Sequence, residues 1–222
     1  LAAQPIYDEL GYPIRTTAGG EGGDYARQGQ WTIVLHATAI PQAEFQEFDT
    51  NDWVANWASP SHLVVDPIRL RRIKCVPFNR YAKSLRNLSG GVETNRDRVL
   101  QVEIHWGGMF DGTNPMPEAQ YRWIALQMKP MLEWARNNGG LDFDNRRVYP
   151  SGWSMQGAFS PSGKQRISFQ DWEADKYWLV QHANVPENDH ADIGNTFNME
   201  FFAQCIKDTL NPVVPNLVPL ID

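Results

Sequence analysis

One long helical run set among short β-branched segments constrains this chain most. From Glu118 to Asn138, the residues Tyr121, Ile124, Ala125, Met128, Met131, Leu132 and Ala135 recur at helical spacing, and Gly139-Gly140 ends the run. Pro130 inside it predicts a kink, because proline has no N–H and crowds the carbonyl of the preceding turn. Trp31 to His36 (WTIVLH), His62 to Asp66 (HLVVD), Val99 to His105 (VLQVEIH) and Trp178 to His182 (WLVQH) read as strands, and a closing helix is expected from about Asn198 to Leu210. Alternation puts His36 on the face of Val34. It puts Gln101, Glu103 and His105 on one face of the third strand, with Leu100, Val102 and Ile104 on the other. Strands interleaved with helices predict an α/β domain with helices packed on a sheet.

At 222 residues, one large domain or one domain with tails is expected. The stretch 1–30 reads as an irregular N-terminal segment, 31–206 as the core, and 207–222 as a Pro-rich tail or a linker to another module. Thr16 to Asp24 (TTAGGEGGD) is a Gly-rich loop, but Glu21 and the lack of a preceding strand argue against a phosphate cradle. The chain starts at Leu1 rather than Met, which suggests a processed chain or an excised domain.

Charge and cysteine content exclude several classes. The balance of 20 Lys and Arg against 26 Asp and Glu gives a net charge of -6, which argues against gathering nucleic acid through its phosphates. No apolar run approaches the roughly 18–20 residues of a membrane span, so no membrane association is expected. Cys75 and Cys205 are isolated, which leaves no CxxC zinc or redox motif and no disulfide framework; both read as buried thiols packed like small hydrophobes, with a structural Cys75–Cys205 pair as the alternative.

The chemistry is concentrated in the histidines. There are five, His36, His62, His105, His182 and His190, and all but His62 fall at a strand end or in the polar loop His182 to Gly194. That loop (HANVPENDHADIG) carries two imidazoles close to Asp189 and Asp192. Two imidazoles and a carboxylate with a fourth position left for water is the composition of a catalytic zinc site, whereas structural zinc is usually held by closed sets containing Cys. An exposed polar loop beside a hydrogen-bonded strand histidine is the competing reading of the same spacing.

Five motifs in order carry a resemblance: VLHATA at Val34 to Ala39, SPSHLVVD at Ser59 to Asp66, GGVETN at Gly90 to Asn95, LQVEI at Leu100 to Ile104, and the His182 to Gly194 loop. Together they resemble the zinc N-acetylmuramoyl-L-alanine amidases of the type 2, peptidoglycan-recognition superfamily. They are most similar in pattern to the amidase domains of endolysins from phages of mycobacteria and related actinobacteria. The resemblance covers about Trp31 to Phe197 and implies a central mixed β-sheet flanked by helices. It also implies that His36, His182 and Asp192 bind Zn²⁺. Here the motif ends HADIG, with Ile193 where the family usually has Pro, a change expected to alter loop stiffness more than ligand chemistry.

Glu103 stands where the family places its catalytic carboxylate. A Glu in a strand with apolar flanks is disfavoured unless it has work to do. His190 stands where the resemblance implies stabilisation of charge on the substrate oxygen. Its alternative role is as a zinc ligand, since relatives with a Cys ligand place it eight residues after the second His, the spacing of His190 from His182. His105 shares the Glu103 face and reads as structural or groove-lining; His62 reads as structural.

The resemblance further implies hydrolysis of the amide between N-acetylmuramic acid and the L-alanine of the stem peptide by a zinc-activated water, with Glu103 moving the proton. The partner is then bacterial peptidoglycan, the chain works as a monomer on the cell wall, and cell-wall-binding or catalytic modules lie elsewhere in the parent protein. A phage endolysin would be made in the host cytoplasm and released at lysis. Two alternatives use the same fold or site: a non-catalytic peptidoglycan-binding module and a zinc peptidase acting on stem peptides, although no HExxH signature is present. A serine hydrolase is weaker, because GWSMQG at Gly152 to Gly157 is one residue too long for the G-x-S-x-G elbow. Of the nine Trp residues, including Trp53, Trp57, Trp106 and Trp153, most are expected in the core, and no substrate-binding residue is assigned.

Overall fold

The computed structural model describes residues 7–27, 29–38, 56–85, 93–106, 115–149, 166–188 and 196–212. Six strands form one mixed sheet: β1 (Thr32–Ala37), β2 (Leu63–Asp66), β3 (Arg71–Lys74), β4 (Val99–Ile104), β5 (Arg147–Val148) and β6 (Tyr177–Gln181), in the order β3-β2-β4-β1-β6-β5. All neighbours pair in parallel except β3, which runs antiparallel to β2. The central strand β1 is buried along its whole length, as expected of a parallel strand covered on both faces.

One face of the sheet presents Ile33, Leu35, Leu63, Val65, Leu100, Val102, Ile104 and Leu179 to the main core. Helix α1 (Glu118–Asn137) covers it together with the C-terminal helix, Met199–Leu210. The buried stripe of α1 is the same seven residues that the helical period selects, Tyr121 to Ala135. Asn198 caps the C-terminal helix by accepting the Phe201 N–H, and its own N–H donates to the Tyr121 hydroxyl, which ties the two helices together.

Pro130 does not end α1. The Tyr12 hydroxyl donates to the Gln127 carbonyl at 2.8 Å and accepts the Met131 N–H at 3.1 Å, two groups that an uninterrupted helix would pair with each other. The phenol is thus inserted into the backbone ladder beside the proline. An interior proline costs about 3 kcal/mol, whereas each large apolar side chain buried along this stripe returns roughly 1.5–3 kcal/mol. The tertiary burial therefore outweighs the local penalty.

Tyr12 is fully buried and belongs to the main core. The Gly-rich loop after it packs as well: Gly19 donates its N–H to the Trp57 carbonyl, and a Cβ at Gly19 would sit 1.8 Å from the Ala58 oxygen. Close backbone approach, and not phosphate binding, accounts for that glycine. At the other end the closing helix runs through Leu210, whose side chain is in the main core.

Three elements were not expected from the sequence. Strand β3 reads as a basic run, yet Ile73 is buried, Lys74 pairs with Asp8, and the Arg72 guanidinium lies 4.6 Å from the Tyr12 ring centroid. Strand β5 has two residues, and helix α2 (Phe169–Glu173) is a short turn capped by Ser168. Numbered in chain order, the C-terminal helix is α3. No described helix is long and apolar enough to cross a membrane.

Candidate active site

The second face of the sheet begins apolar and turns polar at one end. Val34, Val99 and Val180 pack there with Leu85, Ile167, Trp172 and Val185. Two residues beyond Val34 on β1 and four beyond Val99 on β4, the same alternation presents His36 and Glu103. His182 follows β6 as the first residue of a single 3₁₀ turn, His182–Asn184. All three lie at the carboxyl ends of adjacent parallel strands, where open α/β sheets bind their ligands. β1 supplies the middle residue, with Glu103 on one neighbour and His182 on the other.

His36 and Glu103 are direct partners in the β1–β4 register. On the opposite side of His36, its Nδ1 stands 3.0 Å from Nδ1 of His182, with ring centroids 4.4 Å apart. All three side chains are buried. Two nitrogens bound to one tetrahedral zinc ion at about 2.0–2.1 Å stand about 3.3 Å apart. The observed spacing of two imidazole nitrogens fits such an ion. Among the described residues, no set of three His, Cys, Asp or Glu side chains gathers around one point. Asp192 and His190, the other two residues selected from the sequence, lie outside the described residues, as do Ile193, Trp53 and Trp153.

The remaining histidines separate cleanly. His62 accepts the Gln101 N–H at Nδ1 (2.9 Å), while its Nε2 faces the Arg80 carbonyl at 2.9 Å and the Tyr25 hydroxyl at 2.8 Å. It is therefore a neutral structural crosslink between β2, β4 and the loop after β3, and burial lowers its pKa to about 4. His105 continues the Glu103 face, with Nδ1 3.0 Å from the Thr38 hydroxyl. Burial again lowers its pKa to about 4, against the opposing pull of Asp66. The His105–Thr38 contact links β4 to β1 just past the Glu103–His36 pair.

Glu103 borders an apolar patch. Its register partner on β2 is Val64, which clusters with Ile73, Trp57 and Cys75. Both cysteines are free thiols. Burial, reinforced by the charge of Glu103, pushes the Cys75 thiol up to about 12, so it is an inert neighbour of the carboxylate.

Sequence reasoning missed Asn188. Its Oδ1 lies 2.8 Å from Nε2 of His182, and the side chain is fully buried. The signal was present in the loop as VPEN: Pro186 followed by Glu187 at φ +66°, with the Asn188 N–H on the Val185 carbonyl, is a type II turn that folds Asn188 back over His182.

No protein-family model matches this chain, and no curated protein matches its sequence. Solved structures do. A selenomethionine derivative of AmpD is similar over 90% of this chain and 99% of its own, with TM-score 0.51 and 13% identity. The Staphylococcus aureus hydrolase AmiA follows with TM-score 0.47 and 13% identity, over 94% of this chain and 93% of its own. An N-acetylmuramoyl-L-alanine amidase, LysC of Clostridium intestinale URNW, gives TM-score 0.44 and 13% identity over 87% and 97%. The mixed six-stranded sheet with its packed helices is thus an α/β fold similar to that of AmpD.

Proposed function

We propose that this chain is a zinc-dependent N-acetylmuramoyl-L-alanine amidase, hydrolysing the amide between N-acetylmuramic acid and the L-alanine of the stem peptide. The observation that carries the reading is the convergence of His36 and His182, Nδ1 to Nδ1 at 3.0 Å, with Glu103 beside them in register at the carboxyl edge of the sheet. His36 and His182 would hold the metal, with Asp192 from the following loop as the third ligand. When bound, zinc supplies a Lewis acid that polarises a carbonyl and acidifies water. The choice of bond and of substrate rests on the five ordered sequence motifs, and the AmpD-like fold is consistent with it.

The chain's own residues divide the remaining work. Glu103 accepts a proton from the attacking water and returns one to the departing alanine nitrogen, the role of a single carboxylate placed beside the reacting atoms. His190 donates to the oxygen of the scissile carbonyl as charge develops on it. The apolar patch of Val64, Ile73 and Trp57 next to Glu103 limits water on that side of the carboxylate. The motif pattern further supports an endolysin catalytic domain as the parent context.

The test is digestion of purified mycobacterial-type peptidoglycan with and without a chelator, followed by mass spectrometry of the soluble products. Stem peptides beginning at L-alanine, released only with metal, are expected. Shortened or cross-bridge-cleaved peptides would make the chain a peptidase, and wall binding without release would make it a recognition module.

A further inference from the structure

We infer that Asn188 is a positioning residue that fixes the tautomer of His182, so that Nδ1 is the nitrogen left to receive a metal ion. The inference rests on the zinc reading of this site, but its structural half stands without metal. Asn188 Nδ2 lies 2.9 Å from the Pro186 carbonyl, an acceptor only, so the amide nitrogen must point there and Oδ1 must point at His182. Oδ1 is likewise only an acceptor. The 2.8 Å contact therefore requires a proton on His182 Nε2, and in a neutral imidazole that leaves the lone pair on Nδ1. Nδ1 is the atom that faces His36.

The turn that carries the lock is built at a cost. Glu187 occupies φ +66° at the turn position that normally selects Gly or Asn, and it does so between a proline and the locking residue. Asn188 is fully buried and its N–H closes the turn on Val185, so the amide has little freedom to rotate away. An oxygen acceptor on the far nitrogen of a metal-binding imidazole orients the ring and raises its basicity, and losing such a partner typically weakens metal binding about 10- to 100-fold.

The experiment uses the full chain. Nitrogen-15 NMR of the metal-free protein should show His182 as a single Nε2–H tautomer; an Nδ1–H tautomer would overturn the lock whether or not zinc binds. Zinc affinity, read by competition with a chromophoric chelator, should fall about 10- to 100-fold in Asn188→Ala and recover in Asn188→Asp, which restores an acceptor oxygen. Unchanged affinity in Asn188→Ala, or no recovery in a folded Asn188→Asp, would also overturn it. Failure of the wild-type chain to bind zinc would instead sink the amidase reading, and the NMR result would still decide the lock.

Discussion

Glu103 and His36 face each other across the parallel β4–β1 register, and His182 completes the row from β6. A Glu103→Gln substitution removes the carboxylate charge and leaves both imidazoles in the chain. We expect Glu103→Gln to lower kcat by roughly 10²–10⁴-fold while zinc content stays that of the wild type. Metal analysis alongside turnover of peptidoglycan fragments reads both. Normal activity in that variant would remove Glu103 from the proton transfers.

The His182 to Gly194 loop offers two candidates for the third ligand, and they are separable. Asp192→Ala is expected to lose zinc, whereas His190→Ala keeps zinc and loses turnover. Inductively coupled plasma analysis of the two purified variants distinguishes them, and the opposite pattern would move the ligand to His190.

His62 makes folding stability depend on pH. Its folded pKa is lowered to about 4 by burial, against 6.5 when exposed, so the unfolded chain binds the proton first. The stability that the neutral ring contributes is complete above about pH 6.5 and is lost as pH falls toward 4, at about 1.4 kcal/mol per pH unit for one such group. His105 is lowered to about 4 as well and adds a second contribution in the same window. Urea unfolding at pH 7, 6, 5 and 4 should show the decline. His62→Gln should make the decline shallower, and an unchanged slope would mean that His62 is already solvated when protonated.

Tyr12→Phe tests the inserted hydroxyl. Deleting it strands the Met131 N–H in a buried stretch of helix next to Pro130 and leaves the Gln127 carbonyl to the 3.4 Å contact from the Arg72 guanidinium, which should cost about 1–3 kcal/mol. Chemical denaturation checks the value. A loss below about 0.5 kcal/mol, the level of a surface change, would show that the helix closes the gap by itself.

The seven-residue stripe of α1 was legible because burial on one side of a helix writes its own period into the sequence. The four strands with β-branched runs were legible for a similar reason. β3 was not, because its basic residues are satisfied by partners far away in the chain: Asp8 for Lys74, and the Tyr12 ring and Gly11 carbonyl for Arg72. His36, Glu103 and His182 could be nominated by residue type and order, but their meeting at one end of the sheet depends on strand pairing that no local pattern encodes. Asn188 escaped notice because its role comes from a turn geometry in which glutamate stands where glycine is usual.

The way Tyr12 enters α1 bears on how this domain can be trimmed. A version starting at residue 31 would keep every residue of the candidate site, yet it would leave a vacancy in the middle of the longest helix and a sticky apolar surface beneath it. Such a shortened chain should aggregate on expression, and adding residues 7–30 back as a separate peptide should rescue it, as complementation of a split protein does. The first thirty residues would then set the shortest form of this protein worth engineering.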